Sequence, residues 1–243
     1  MTTPEIEALA AERLAADTAA TTRRTTLSLG QAWRAFWRHP SPPMILTALV
    51  AASVARVLAP GGDLWEIAIP VALVALFPVI EWVIHVLVLH WRPRQVGPVR
   101  IDSLLAREHR AHHADPRDIP LVFIPWKALV WLVPAGAAVA LLAMPTLSSA
   151  LTLLVSAAAL MFGYEWTHYL VHSDYRPRSR AYRAVWRNHR LHHYKNEHYW
   201  FTVTTSGTAD RLFGTCPDAA DVPTSPTVRK LHETDAGPAT ISG

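Results

Sequence analysis

Two five-residue strings carry the chemistry of this chain: HRAHH, from His109 to His113, and HRLHH, from His189 to His193. Each places imidazoles at i, i+3 and i+4, positions that share one side of a helix. His109, His112 and His113 therefore point together, and so do His189, His192 and His193. HYLVH adds His168 and His172 at i and i+4. HVLVLH adds His85 and His90, five apart and so about 140° around a regular helix; that spacing suits either two different ions or a locally distorted helix end. Ten of the 13 histidines fall in these four groups. His198 follows closely, outside the pattern, and His39 and His232 are isolated.

A single histidine on an apolar face is ordinarily a packed core residue. Ten in four groups are different, because clustered neutral imidazoles need many hydrogen-bond partners and protonated ones repel each other. A bound cation removes both problems by taking a lone pair from each ring. A transition metal takes roughly four to six ligands, so ten imidazoles exceed one ion and fit two, at about five each. That count leaves positions open for oxygen or water, unlike a closed four-ligand structural zinc. Imidazole suits iron, zinc and copper alike, so residue type does not name the metal. Spacing does not say which histidine serves which ion.

The elements that must position these residues are apolar. Residues 128–164 contain no Asp, Glu, Lys, Arg or His, enough for a pair of bilayer crossings at ~20 residues each, and Pro145 marks the turn between them. Residues 43–60 carry one charge, Arg56, near an end where it can snorkel. Residues 67–80 are charge-free. The expected fold is all-α: four transmembrane helices at about 43–60, 66–90, 126–144 and 147–172, with a cytoplasmic helical cap carrying the histidine site. Residues 1–42 are the N-terminal segment, in which Ile6, Leu9 and Leu14 give a short helix an apolar side. Residues 43–215 form the membrane domain, and 216–243, rich in Pro, Thr, Asp and Gly, read as a disordered tail. A soluble helical bundle fits poorly, because the last two helices keep so little polar face.

Charge supplies the orientation. Arginines gather before the first span, between the second and third, and in the C-terminal part, while the connections near Gly61–Asp63 and Pro145–Ser149 have no Lys or Arg. Under the positive-inside rule both termini and the 91–127 loop are cytoplasmic. All four histidine groups then reach one cytoplasmic site at the membrane surface. The net charge of +4 is accounted for by anionic lipid, with no nucleic acid needed. The lone cysteine, Cys216, excludes an intrachain disulfide and any cysteine-built metal site. No secretory pattern opens the chain. A pseudo-repeat is also visible: EWVIHVLVLH then HRAHH parallels EWTHYLVH then HRLHH, so each half offers Glu-Trp, a helix-end histidine pair and HRxHH.

The order HxxxxH, HxxHH, HxxxH, HxxHH resembles the fatty acid hydroxylase/sterol desaturase superfamily of membrane di-iron oxygenases. EWVIHVLVLH, the HHYKN of His192–Asn196 and the DRLFGT of Asp210–Thr215 resemble its fatty acid 2-hydroxylase branch, over about residues 80–215. The resemblance implies O₂-dependent attack on an unactivated C–H bond of a lipid, giving hydroxylation or desaturation according to how the chain is held. It implies two irons, with zinc substituting in purified protein, held by His85, His90, His109, His112, His113, His168, His172, His189, His192 and His193, with O₂ as co-substrate and no other catalytic side chain. A separate electron donor, a ferredoxin or a cytochrome b5-like protein with its reductase, is implied because about 42 N-terminal residues are too few for a fused one.

Around that set, Glu81, Glu108, Glu165, Asp174 and His198 are candidates to orient the imidazoles. Trp82, Trp166, Tyr164, Tyr169, Tyr199 and Trp200 are candidates to line a lipid tunnel or to anchor at the interface. One departure stands out. Where many members carry Gly-Phe-Gly after HHYKN, this chain runs Glu197-His198-Tyr199-Trp200-Phe201-Thr202, which puts substrate identity in question. A sterol desaturase, sterol methyl oxidase or carotenoid hydroxylase is the nearest alternative. A membrane zinc-binding or transport protein is a more distant one, since transport predicts polar residues along the spans.

Overall fold

The computed structural model describes residues 26–232 together with positions 4, 5, 8, 11, 12 and 15, which are helical and exposed. Ile6, Leu9 and Leu14 lie outside the described residues. A short helix α1 (Leu29–Phe36) is closed by a capping box between Ser28 and Gln31, which satisfies backbone donors that the helix leaves free. Four long apolar segments follow. They run Ser41–Leu58, Leu64–Leu89, Ile119–Ala143 and Leu147–His172, each long and apolar enough to cross a bilayer, and most of their residues face outward. The first is helix α2 (Ser41–Leu58). The second is α3 (Ala68–Ile84), which widens into a π-helical turn over His85–Leu89. The third combines a single turn, α5 (Ile119–Val122), with α6 (Trp126–Ala143). The fourth is α7 (Leu147–His172), which opens on a Thr146/Ser149 capping box and packs against α2, α3 and α6 as the central helix. A surface of exposed Val50, Val54, Val71, Val74, Trp131 and Leu142 would be costly in water and is at home in lipid.

The histidine strings lie on two further helices. Helix α4 (Leu104–Ala114) begins where the Ser103 hydroxyl accepts from Ala106 N at 3.1 Å. Helix α8 (Arg180–Tyr194) begins where Ser179 accepts from Tyr182 N at 3.1 Å. A small antiparallel hairpin, β1 (Arg94–Val96) with β2 (Val99–Ile101), precedes α4 and is the one departure from an all-α chain among the described residues. A last short helix, α9 (Thr208–Leu212), starts from Gly207 in the left-handed region at φ +90°.

Two expectations are corrected. Arg56 does not simply snorkel. It donates to Glu66 at 3.0 Å and Thr152 at 2.8 Å, and Ser148 and Thr152 also donate to Glu66, so the end of the bundle remote from the histidine helices is tied by a polar knot. The helix of the third span, α6, begins at Trp126, and α5 is a separate turn before it, set off by non-helical residues 123–125. Residues 216–232 are not loose: Val222, Val228 and Leu231 are buried, and Ser225 N donates to Lys195 O at 2.8 Å. Composition suggested disorder there, but the segment finds its packing on the histidine helices.

Candidate metal centre

All ten histidines named above come together, in two groups of five. His85, His90, His109, His113 and His192 form one; His112, His168, His172, His189 and His193 form the other. In each, the ligand atoms lie within 4.8 Å of one another. That is close to the size of one coordination sphere, in which opposed ligands ~2.1 Å from an ion stand roughly 4.2 Å apart. The groups adjoin: the rings of His113 and His193 are 4.2 Å apart.

The sorting crosses the pseudo-repeat. In each HRxHH string the outer pair stays with its own half, and the middle histidine goes to the other. His192 of α8 meets His113 of α4, Nε2 to Nε2, at 3.1 Å, and its ring is 4.6 Å from His85. His112 of α4 lies 4.5 Å from both His172 and His193. Neither half closes a site alone. The five-residue spacing of His85 and His90 is resolved by the distorted helix end: His90 N donates to His85 O at 3.0 Å, the i→i+5 bond of a π turn, and both histidines serve the same group. Such turns are frequent at functional sites.

Backbone carbonyls settle which ring nitrogens are bare. Nδ1 of His85 donates to Phe201 O at 2.6 Å, of His113 to Val228 O at 3.1 Å, of His172 to Pro116 O at 2.8 Å and of His192 to Tyr199 O at 2.8 Å. A carbonyl can only accept, so Nδ1 holds the proton and Nε2 presents a lone pair inward. His113 and His192 then face each other with two lone pairs at 3.1 Å. His189 Nε2 meets three others, of His168, His172 and His193, at 2.9–3.2 Å. One proton cannot satisfy three such contacts, and His90 Nε2 and both nitrogens of His112 have no partner among the described residues. Doubly protonated rings are no remedy. Burial, then the neighbouring imidazoles, hold the pKa of His109, His112, His113, His189 and His193 well below the ordinary range, and burial pushes His192 down to about 3. A pair of cations relieves every one of these contacts, so the residues fit a two-metal site.

Outer residues act one step removed from the rings. Glu81 accepts from Val203 N at 2.5 Å, Thr204 N at 3.0 Å and Thr204 Oγ1 at 2.6 Å. The loop it grips is the one whose Phe201 carbonyl holds His85. Glu165 accepts from Ile124 N at 3.1 Å and from Ser41 Oγ. Two residues before Ile124, the Val122 carbonyl interacts with His168, more loosely, since His168 Nδ1 lacks a full hydrogen bond. In both halves the glutamate of Glu-Trp thus grips a loop just past the carbonyl that faces the first histidine. Both carboxylates were expected to orient imidazoles; they reach them through backbone. Asp174 pairs with Arg117 at 3.3 Å. His198 belongs to neither group: it is exposed, 3.5 Å from Glu197.

The aromatic residues proposed for a tunnel do not form one lining. Trp166 and Tyr169 pack with Phe36 of α1 and Phe123. Trp82 donates to Thr215 at 2.9 Å and packs on Phe213. Trp200 is buried at φ +56°, a conformation rarely adopted by a bulky residue. Its reason is visible on either side. It turns the chain so that Tyr199 O and Phe201 O both reach ligands of one group, His192 and His85. Asp210 fixes this turn by accepting from Phe201 N at 2.8 Å, Thr202 N at 3.0 Å and Thr215 Oγ1 at 2.8 Å. Asp210 lies in DRLFGT and Glu197 in the stretch after HHYKN, so their segments stood out in the sequence although their roles did not. Glu197 accepts from Ser225 at 2.9 Å and Thr227 at 2.5 Å, holding the C-terminal segment over the site. The carbonyls of Phe201, Tyr199, Val228 and Pro116 leave no side-chain signature at all.

Four helices that could span a membrane, with a paired, five-plus-five histidine site that could hold metal ions, are the make-up of a multi-pass membrane protein. Residues 70–215, more than half of the chain, match the fatty acid hydroxylase family, and the protein belongs to it, within the fatty acid hydroxylase/sterol desaturase superfamily. No curated relative and no solved structure matches the chain.

Proposed function

We propose that the protein is an O₂-dependent lipid hydroxylase that uses two irons, most like a fatty acid 2-hydroxylase. The observation that carries this is the crossed pair of five-histidine groups with bare Nε2 atoms turned inward. The ten histidines would hold the metals, and the irons would supply the oxygen-activating chemistry that breaks an unactivated C–H bond. The chain's own contribution is to keep the imidazoles neutral by burial, to fix the tautomers of His85, His113, His172 and His192 through Phe201, Val228, Pro116 and Tyr199, and to offer five ligand atoms in each group. The flanks EWVIHVLVLH, HHYKN and DRLFGT favour the 2-hydroxylase branch over sterol and carotenoid enzymes. Metal transport is disfavoured because the mid-span hydroxyls of Thr47, Ser53 and Ser156 each bond a carbonyl of their own helix four residues back, rather than lining a path of free ligands.

The arginine distribution supports a cytoplasmic side for both termini and the histidine helices under the positive-inside rule. Electrons come from a separate acidic donor. Arg180, Arg183 and Arg187 are exposed on the side of α8 about 180° from His189, His192 and His193, and Arg176 and Arg178, also exposed, extend the patch. A carrier docked there is one helix away from three ligands, and charge would steer it.

The test is expression in a host that lacks lipid hydroxylation, with lipid extracts compared by mass spectrometry. Lipids that gain one oxygen support the reading, and loss of two hydrogens reassigns the chain to desaturation. Iron-loaded protein, given reductant and O₂, that leaves every lipid class unchanged would overturn it.

A further inference from the structure

A second cationic feature lies on the other flank of the metal centre. A cleft of about 1010 Å³ runs between the β1–β2 hairpin, helix α4 and the C-terminal segment. Its lining includes Arg92, Arg94, Arg100, Arg110, Arg229 and Lys230, and no acidic residue among the described ones. Two of these are committed. Arg110 is clamped by both oxygens of Asp102 at 2.6 Å, and Arg229 donates to Ala114 O at 2.6 Å. Arg92 and Lys230 make no ion pair among the described residues, and Arg100 stands 3.8 Å from Asp102 with its side chain mostly exposed. A cleft this positive repels itself unless an anion sits in it.

The hairpin beside it indicates what carries that anion. Pairing of Arg94 with Ile101, Gln95 with Arg100 and Val96 with Val99 sends alternate residues to opposite faces. Gln95 and Arg100 turn to the cleft. Arg94, Val96, Val99 and Ile101 share the other face, where the three apolar residues are 57%, 60% and 47% exposed and Arg94 at the strand's start reaches back over Trp91 at the edge of the cleft. An uncovered β-branched face is a liability in water. It lies, however, only a few residues past Leu89, where the second span ends, and extended chain covers at most ~3.5 Å per residue. The hairpin is therefore held at the level of the lipid headgroups. Trp91, with the Arg94 guanidinium 4.8 Å above its ring, has the aromatic-plus-cation make-up of an interfacial anchor.

We propose that this cleft binds the phosphate of an anionic phospholipid, with the Val96/Val99/Ile101 face set among the acyl chains beside it. The proposal depends on the membrane placement and not on the oxygenase reading. It also gives the lipid a consequence for the site. The cleft floor includes Arg110 and Ala111 of α4, between His109 and His112, and His232, which donates to His90 O at 3.0 Å. A bound headgroup would hold the helix and the tail segment that frame the first histidine group.

The experiment uses the full chain in nanodiscs of mixed phosphatidylglycerol and phosphatidylcholine, with retained lipid counted by native mass spectrometry. The wild type is expected to retain phosphatidylglycerol selectively. Arg92→Gln/Arg100→Gln/Lys230→Gln should reduce that retention by about tenfold or more, whereas Arg180→Gln/Arg183→Gln/Arg187→Gln, on α8, should leave it unchanged. In a Cys216→Ser background, an environment-sensitive probe at Val99→Cys should be quenched by lipids brominated high on their chains. This second reading does not require the arginine variant to fold. Lack of preference for phosphatidylglycerol, equal loss in the α8 variant, or an unquenched probe would each overturn the proposal. So would displacement of the lipid by millimolar inorganic phosphate, which would make the cleft a soluble-anion site.

Discussion

His113 and His192 have no proton to share across their 3.1 Å contact, because each has given its own to a carbonyl. This makes the crossed assignment testable residue by residue. His192→Ala removes a ligand from the group of His85, although His192 sits in the second half of the chain. Metal analysis of purified protein should fall from about two ions per chain toward about one. Adding His85→Ala to His192→Ala should cost little more, since both strip the same ion, whereas His192→Ala with His193→Ala should empty both sites. The reverse pattern would mean that each half binds its own ion. The same burial predicts acid sensitivity. The depressed histidines are neutral in the folded chain, while in the unfolded chain they titrate near about 6.5. Above that pH neither state is protonated and nothing is lost. Below it the unfolded state takes protons that the folded state refuses, so stability falls by up to ~1.4 kcal/mol per pH unit for each such group. Metal-free protein should therefore lose its melting temperature steeply below about pH 6.5, and metal-loaded protein only once its ions are displaced. A flat profile from pH 7 to 5 in the metal-free state would contradict the burial.

Between residues and fold stand loops that are fixed by carboxylates. Glu81→Ala would leave Val203 N, Thr204 N and the Thr204 hydroxyl without their acceptor, at ~1–3 kcal/mol for each donor that stays buried, and would free the turn carrying Phe201 and Tyr199. Metal affinity at the first group should drop ~10–100-fold, with Glu81→Gln intermediate because one oxygen remains. Glu165→Ala should weaken the second group less, as Val122 holds His168 loosely. Competition with a metal indicator measures both; equal affinities in all variants would make these carboxylates mere packing ties. This layer is where the sequence was least informative. The ten histidines were legible because helical spacing turns side chains into faces, and the spans because uninterrupted apolar runs have few soluble uses. Glu81 and Glu165 were visible as a repeated Glu-Trp, yet their partners are amides more than 40 residues away in one case and more than 120 in the other. The π turn under His85 and His90 was one of two readings that spacing allowed. The left-handed Trp200 could not be foreseen, since a bulky residue adopts that conformation only when its surroundings over-determine it.

At the scale of the whole molecule, two kinds of order coexist. The spans are held by apolar surface and by the Arg56–Glu66 knot at one end. The metal end is held by loops and a tail that reach it from far along the chain. Val228 O holds His113, Arg229 reaches the last turn of α4 at Ala114 O, and Asn196 donates to Pro223 O at 3.1 Å. The tail read as disordered by composition, because Pro, Thr and Asp bury little apolar area; residues 223–232 are held by the polar groups they place. A chain ending at Val222 separates the two kinds of order. None of its spans is shortened, so carbonate extraction should still find it integral to the membrane. It loses the Ser225 and Thr227 contacts to Glu197, which leaves a buried carboxylate short of donors, and it frees the His113 ring to rotate away from the site. Metal content should fall at the first group before the second, because His113 belongs to the first while no ligand of the second takes a bond from residues 223–232. Full metal occupancy in the shortened chain would show that the histidine helices and their nearer loops suffice, and that the tail merely lies across a site already closed.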